Sequence, residues 1–158
     1  MKKGFTLIEL LIVIAIIGIL ATAVLVGFGG ARRAARDARR IADLQQVQTS
    51  LELYSNKCSR YPGDAGCTYS VPANWVALET NLKGANIGVS KLPLDPGTTV
   101  YLYYVHTPSQ GQKYILRAVL EDTTHKALNT DIDNVDITST DYAPAGADCA
   151  DPTYCIGT

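Results

Sequence analysis

Residues 5–31 form the longest apolar stretch of the chain, and a single carboxylate interrupts it near its start. From Leu10 to Ala31 no residue is charged, which meets the requirement of about 20 apolar residues for a bilayer-spanning helix. The carboxylate is Glu9. Because a charged group is costly inside a membrane and is usually functional there, the pattern makes Glu9 a candidate functional residue.

Beyond residue 31 apolar positions recur at spacings of three and four, which is typical of an amphipathic helix. We therefore predict one helix from about Phe5 to Ser55, with residues 32–55 as its amphipathic half. We expect the apolar stripe to pack on a globular head, with the alanines closely packed and with the arginines and Asp37 on other faces. The stripe consists of Ala31, Ala34, Ala38, Ile41, Leu44, Val47, Leu51 and Tyr54.

Residues 56–158 have a different composition, richer in Pro, Gly, Asn, Ser and Thr, which predicts a head with frequent turns. Trp75–Leu82 is expected to form a short helix. Thr98–His106 and Lys113–Glu121 are rich in β-branched and aromatic residues, and the linker between them suits a hairpin. A third strand is expected in Asp136–Thr140 or nearer the C-terminus. The predicted fold class is α+β, a long N-terminal helix packed against a small antiparallel sheet.

Four cysteines follow the apolar stretch, at positions 58, 67, 149 and 155. Three disulfide connectivities exist, and we favour the local pairs Cys58–Cys67 and Cys149–Cys155 because each closes a turn-rich loop. Zinc binding is the rival interpretation, although these spacings are unusual for a zinc site. Disulfides indicate an oxidising compartment outside the cytoplasm. The arginines after residue 31 would by themselves favour the opposite orientation.

The net charge and the motifs of the sequence give little support to an enzymatic function. The net charge is −1, and the sequence contains no Ser-His-Asp grouping, no Cys-His grouping and no glycine-rich phosphate loop. We therefore predict no catalytic residue and no cofactor, with a membrane-anchored enzyme as a remote alternative. The arginines of residues 32–40 predict either a solvated helix face or contacts with the acidic residues 130–158 of neighbouring subunits. DNA contact by them is weakly supported, because no aromatic residues are interleaved.

A short acidic segment offers oxygen ligands for Ca²⁺ in Asp131, Asp133 and Asp136. It does not match an EF-hand, because the loop lacks the glycine at its sixth position and the closing glutamate. The alternative is an exposed acidic loop without a metal, and no metal site is favoured.

The segment Lys-Gly-Phe-Thr-Leu-Ile-Glu at positions 3–9 resembles the class III leader of type IV pilins and type II secretion pseudopilins. The resemblance implies that a prepilin peptidase removes residues 1–4 by cutting after Gly4 and then N-methylates Phe5. It also implies that Glu9 pairs with the Phe5 ammonium of a neighbouring subunit and so sets the register of assembly. Such pairing would offset the cost of an isolated carboxylate in apolar surroundings. The alternative is that Glu9 reaches the lipid headgroups or pairs with the N-terminus of its own chain.

Four glycines weaken the apolar half of the helix by about 1 kcal/mol each relative to alanine. They are Gly18, Gly27, Gly29 and Gly30. Subunits of the family melt locally in the filament, so these glycines are candidates for helix flexibility. Close packing between membrane helices is an equally good explanation.

The resemblance implies a structural subunit of a type IV pilus, held in the inner membrane and then polymerised by a platform and motor into an extracellular homo-oligomeric filament. The Cys149–Cys155 loop resembles the C-terminal disulfide loop of many pilins. The alternative is a pseudopilin of a type II secretion system. Leu92-Pro-Leu-Asp-Pro96 is similar to a motif of major pseudopilins, but Gly97-Thr-Thr-Val replaces the Trp-Gly-Asn-Pro that follows it there.

Overall fold

The computed structural model describes residues 4–62, 67, 72, 74–133, 141–143 and 148–158, without the side chains of residues 23–27 and 143. The chain divides into two compact units, Met1–Ala35 and Arg36–Thr158. The elements in chain order are α1 (Leu7–Cys58), α2 (Trp75–Gly84), β1 (Leu102–His106), β2 (Tyr114–Val119), a 3₁₀ helix (Lys126–Asn129), β3 (Tyr142–Ala143) and β4 (Thr153–Gly157).

The long N-terminal helix is confirmed as one continuous element of 52 residues. It begins two residues later than predicted and ends three residues later. Its acidic first-turn residue, Glu9, and its basic last-turn residue, Lys57, both complement the helix dipole. In the Met1–Ala35 unit the large apolar side chains of α1 that the structure describes, from Leu7 to Leu20 and at Phe28, are exposed.

A four-stranded antiparallel sheet of order β3-β1-β2-β4 forms the second layer of the head. The predicted hairpin is confirmed, with Leu102 opposite Arg117 and Val105 opposite Tyr114. Its strands are shorter than predicted. β4 pairs with β2 so closely that a Cβ on Gly157 would lie 2.0 Å from the Tyr114 carbonyl oxygen. A third strand was expected in Asp136–Thr140 or nearer the C-terminus: residues 136–140 lie outside the described residues, and β4 is a strand nearer the C-terminus.

The core lies between this sheet, α2 and the second half of α1. The predicted stripe supplies four of its side chains, all fully buried: Leu44, Val47, Leu51 and Tyr54. Ile41 is partly buried against the same cluster. Burying one such aliphatic side chain stabilises the fold by about 1.5–3 kcal/mol, so the stripe is what attaches the sheet to the helix.

The N-terminal end of the stripe does not behave as predicted. Ala31, Ala34 and Ala38 are exposed, whereas Asp37 and Arg40 are 0% and 1% exposed. A methyl group gains little from burial. The charged pair is buried because residues far along the chain supply it with partners, as described below.

The helix α2 confirms the predicted helix over Trp75–Leu82 and continues to Gly84. It is capped by Asn74, whose side-chain oxygen accepts a hydrogen bond from the Ala77 amide at 2.9 Å. Such a cap satisfies one of the free amides at a helix start. The Trp75 indole donates to the Pro93 carbonyl at 3.0 Å and ties the following loop to α2.

Two disulfides close local loops of the head. Cys58 is bonded to Cys67, with 5.1 Å between their Cα atoms, and Cys149 is bonded to Cys155, with 5.8 Å. These are the two pairs that the loop spacing favoured. Cys149 and Cys155 are fully buried beside Tyr104.

Candidate functional site

The predicted processing site is exposed at the start of the chain. No atom outside the neighbouring residues lies within 4 Å of a Cβ position on Gly4. Phe5 is 82% exposed. The bond between them precedes α1 and is not part of the helix. Among the described residues, nothing packs against the predicted cleavage bond.

Glu9 forms a reciprocal capping box with Thr6. The Thr6 amide and hydroxyl donate to Glu9 Oε2 at 2.9 Å and 2.8 Å, and the Glu9 amide donates to Thr6 Oγ1 at 3.3 Å. This Thr-x-x-Glu pattern satisfies free amides at the helix start. Sequence reasoning missed this role of Thr6, although a threonine three residues before a glutamate is a recognised local signal.

Apolar side chains cover the exposed surface of α1 between Phe5 and Leu20. Their exposed fractions range from 47% for Val13 to 82% for Phe5. Gly18, Gly29 and Gly30 lie within unbroken helix and meet no neighbouring atom within 4 Å of a Cβ position; the helix also runs through Gly27. This surface has no partner within the described part of the Met1–Ala35 unit.

Within the part of the chain that the structure describes, no helix is both long enough and apolar enough to cross a membrane.

A buried ion cluster joins α1 to two distant segments of the head. Arg40 donates to Asp95 at 2.8 Å and 3.0 Å, to Asp37 at 2.6 Å and to Glu121 at 2.9 Å. Arg36 forms a two-pronged pair with Glu121, with a distance of 2.7 Å from Nε to Oε1. Asp37 in turn accepts from the Glu121 amide at 3.0 Å. The cluster fastens the end of β2 and the loop before β1 to one turn of the helix.

The charges in this cluster shift one another. Hydrogen bonds from Arg36 and then from Arg40 lower the pKa of Glu121 to about 2. Burial by itself raises the pKa of Asp95, but the hydrogen bonds from Arg40, Gly97 and Thr99 outweigh it, so that pKa is lowered. The hydrogen bond to Asp95 raises the pKa of Arg40 despite burial. Glu121, Asp95 and Arg40 are therefore ionised at neutral pH.

Asp95 belongs to the Leu92-Pro-Leu-Asp-Pro96 motif, which gives this motif a structural role. Besides Arg40, it accepts from the Gly97 amide at 2.6 Å and from Thr99 Oγ1 at 2.8 Å. A Cβ on Gly97 would lie 2.7 Å from Arg40 Nη2. Glycine after the motif thus leaves room for the guanidinium.

The cluster corrects two expectations about the basic stretch. Asp37 does not face away from the core, and the partners of Arg36 and Arg40 are carboxylates of the same chain. None of the predicted acidic residues 130–158 takes part within the described residues. The exposed Arg32 and Arg33 form no ion pair among the described residues, so for them the hypothesis of neighbouring acidic surfaces stays a prediction.

Three carboxylates meet near the C-terminus. Ligand atoms of Asp131, Asp133 and Asp151 lie within 4.8 Å of one another. Burial and then the Asp133 charge raise the pKa of Asp131, whose Oδ2 accepts from the Cys155 amide at 2.9 Å. Carboxylate oxygens suit a hard cation such as Ca²⁺. Asp136 lies outside the described residues, and Asp151 was not anticipated.

The two histidines have local structural roles. His106 Nδ1 lies 2.7 Å from Ser109 Oγ in the hairpin turn. His125 Nδ1 accepts from the Ala127 amide at 3.1 Å and caps the 3₁₀ helix. Among the described residues neither histidine is hydrogen-bonded to a carboxylate or to a cysteine.

Comparison with known proteins gives two kinds of match. Residues 1–25 match the family model of the prokaryotic N-terminal methylation motif. Over 101 residues the chain is 31% identical to the type II secretion system core protein G of Pectobacterium carotovorum subsp. carotovorum, which covers 63% of this chain and 65% of that protein.

Two further relatives carry the same name. The protein of Aeromonas hydrophila is 30% identical over 101 residues, covering 63% of this chain and 71% of the relative. That of Dickeya chrysanthemi is 34% identical over 61 residues, covering 39% and 40%. The chain thus spans less than two thirds of the Pectobacterium and Dickeya relatives. No solved structure matches the chain.

Proposed function

The chain belongs to the family of type IV pilins and type II secretion pseudopilins, and we propose that within it the chain acts as a core pseudopilin of a type II secretion system. The observation that carries the proposal is the length of the similarity to core protein G. It extends over 101 residues, whereas the methylation motif covers only residues 1–25. The likeness therefore includes part of the head and favours this alternative over the pilus interpretation drawn from the sequence.

The proposed mechanism begins with processing and storage. A prepilin peptidase cuts after Gly4 and methylates Phe5, and the apolar residues 5–31 hold the subunit in the inner membrane. During assembly an inner-membrane platform and motor transfer this helix from lipid into a filament of identical subunits. The exposed apolar side chains between Phe5 and Leu20 support this step, because a filament core would bury them at about 25 cal/mol per Å².

The capping box gives Glu9 a defined state before assembly. Both hydrogen bonds from Thr6 go to Oε2, and Oε1 has no hydrogen bond among the described residues. We propose that Oε1 receives the Phe5 ammonium of the neighbouring subunit. The capping box would then hold the carboxylate in one orientation while the pair forms, so that the two interactions act together.

The ion cluster has a supporting role in this proposal. It fixes the Leu92–Pro96 motif and the end of β2 to α1, so that the sheet moves together with this part of the helix. The short filament that results would push exported proteins outward, with its heads in an oxidising compartment that maintains both disulfides.

The proposal is tested by deleting the gene in its own host and measuring two outputs. We expect secreted proteins to accumulate inside the cell envelope while surface pili and twitching remain. Complementation with the wild-type gene should restore secretion, and the Gly4→Trp variant, whose leader should not be removed, should not. Loss of pili with normal secretion would contradict the proposal and support a type IV pilin.

A further inference from the structure

The head carries an apolar groove that its own core does not fill. Of the four exposed large apolar side chains in the described part of Arg36–Thr158, three line this groove: Val76, Leu94 and Val100, at 70%, 59% and 66% exposed. Trp75 and Tyr101 form its floor, and the cavity volume is about 320 Å³. Such concentration of exposed apolar surface is typical of an interaction site.

One wall of the groove adjoins the ion cluster. Asp95 and Thr99 line the groove, and Thr99 also lines a second cavity next to Arg40 and Glu121. The cluster contains two arginines and three carboxylates, which leaves one net negative charge. The exposed Asp122 adds another. An occupant of the groove should therefore have an apolar knob followed by positive charge.

One segment of the chain has this combination. Phe28, one of the chain's two phenylalanines, is 48% exposed and is followed by Gly29, Gly30 and Ala31. Small neighbours let a partner surface approach the helix closely. Arg32 comes one turn after Phe28 and shares its face, because residues four apart on a helix are neighbours. Arg32 is exposed and has no ion pair among the described residues.

We propose that the Phe28–Arg33 segment of a second copy of this chain docks at the groove, with Phe28 against Trp75 and Val76 and with Arg32 directed to Glu121 and Asp122. This inference rests on the proposed filament and names the contact between head and helix of neighbouring copies. The two features are complementary in apolar character and in charge, and within the described residues Phe28 and the apolar side chains of the groove remain exposed.

The test is disulfide crosslinking of the full chain in filaments assembled in cells. The described cysteines are all in disulfides, so a new crosslink between copies would come from the introduced cysteines. Cells producing Phe28→Cys together with Val76→Cys copies should yield an oxidised dimer between the two. The matched control replaces Val76→Cys with Leu53→Cys, which is 49% exposed but outside the groove, and should yield none. Filaments without the dimer, equal dimer in the control, or capture of another protein at the groove would overturn the inference.

A second variant decides the question if the cysteine copies do not assemble. Val76→Asp places a charge in the proposed contact and should reduce the amount of filament isolated from the cell envelope by about tenfold or more. Its thermal unfolding should stay close to wild type, because Val76 is exposed in the single chain. Leu53→Asp is the control and should assemble normally. Normal assembly of Val76→Asp would overturn the inference but leave the proposed function intact, whereas absence of filaments from wild-type cells would count against the proposed function itself.

Discussion

Replacing Arg40 by methionine should destabilise the head strongly. The guanidinium is almost fully buried and contacts three carboxylates, two of which, Asp37 and Asp95, are themselves buried. Removing one partner of a buried ion pair costs about 3–5 kcal/mol, because the other charge is left without compensation. The two aspartates keep backbone donors and Asp95 keeps Thr99, so we expect the lower end of this range, about 3 kcal/mol.

The sole tryptophan makes this measurable. Trp75 is 8% exposed and packs edge-on against Tyr101, with 5.5 Å between ring centroids. Its fluorescence therefore reports unfolding of the head in the full chain, solubilised in detergent. At about 3–6 °C per kcal/mol for a unit of this size, Arg40→Met should lower Tm by about 10–15 °C.

The matched control is the neighbouring arginine. Arg39 is 62% exposed and lies 3.7 Å from Asp43, and an exposed pair of this kind contributes less than about 0.5 kcal/mol. Arg39→Met should therefore shift Tm by no more than about 2 °C. If Arg40→Met behaves like this control, the buried cluster does not fasten the head to α1 and the reasoning fails.

Three further predictions concern pH, packing and the cap. Because the pKa of Glu121 in the folded protein is lowered to about 2, its contribution to stability is present above about pH 4.3 and is lost between there and about pH 2. The urea midpoint should fall over this pH range, and it should fall less steeply in Glu121→Gln; an equal slope in both proteins would contradict the prediction. Leu51→Ala, at a fully buried position, should lower the free energy of unfolding by about 2–5 kcal/mol in urea titration. Thr6→Ala should weaken the start of α1 by about 1 kcal/mol and speed amide exchange there, whereas Thr6→Ser should not.

The sequence predicted the helix and its buried face because both depend on local periodicity. Leu44, Val47, Leu51 and Tyr54 follow one helical stripe, and all are buried. The hairpin was predicted for the same reason, since its strands are continuous and their linker is short. The bounds of the strands were too wide, because pairing partners rather than propensity decide where a strand ends.

The ion cluster could not be predicted from local pattern. Asp37 and Arg40 have the charges of a solvated helix face, and their burial depends on Asp95 and Glu121, which lie 55 to 84 residues away along the chain. Only the fold brings these segments together. The sequence indicated a strand near the C-terminus but not its bounds, because the five residues of β4 gain their structure by pairing with β2.

The capping box is a different kind of omission. Thr6 and Glu9 have the spacing of a known local motif, so the sequence contained the signal. Glu9 was interpreted as a charge that pairs with an amine or reaches the lipid headgroups, and its role in its own helix was overlooked. The structure adds that role without removing the other, since Oε1 has no hydrogen bond among the described residues.

The central claim is that this chain is a processed subunit that polymerises through its N-terminal helix, and intact mass spectrometry of filaments isolated from the cell envelope tests it most directly. We expect a chain that begins at N-methylated Phe5 and lacks two hydrogens for each of its two disulfides. A chain that retains residues 1–4, or one found only in the membrane and never in filaments, would contradict the account.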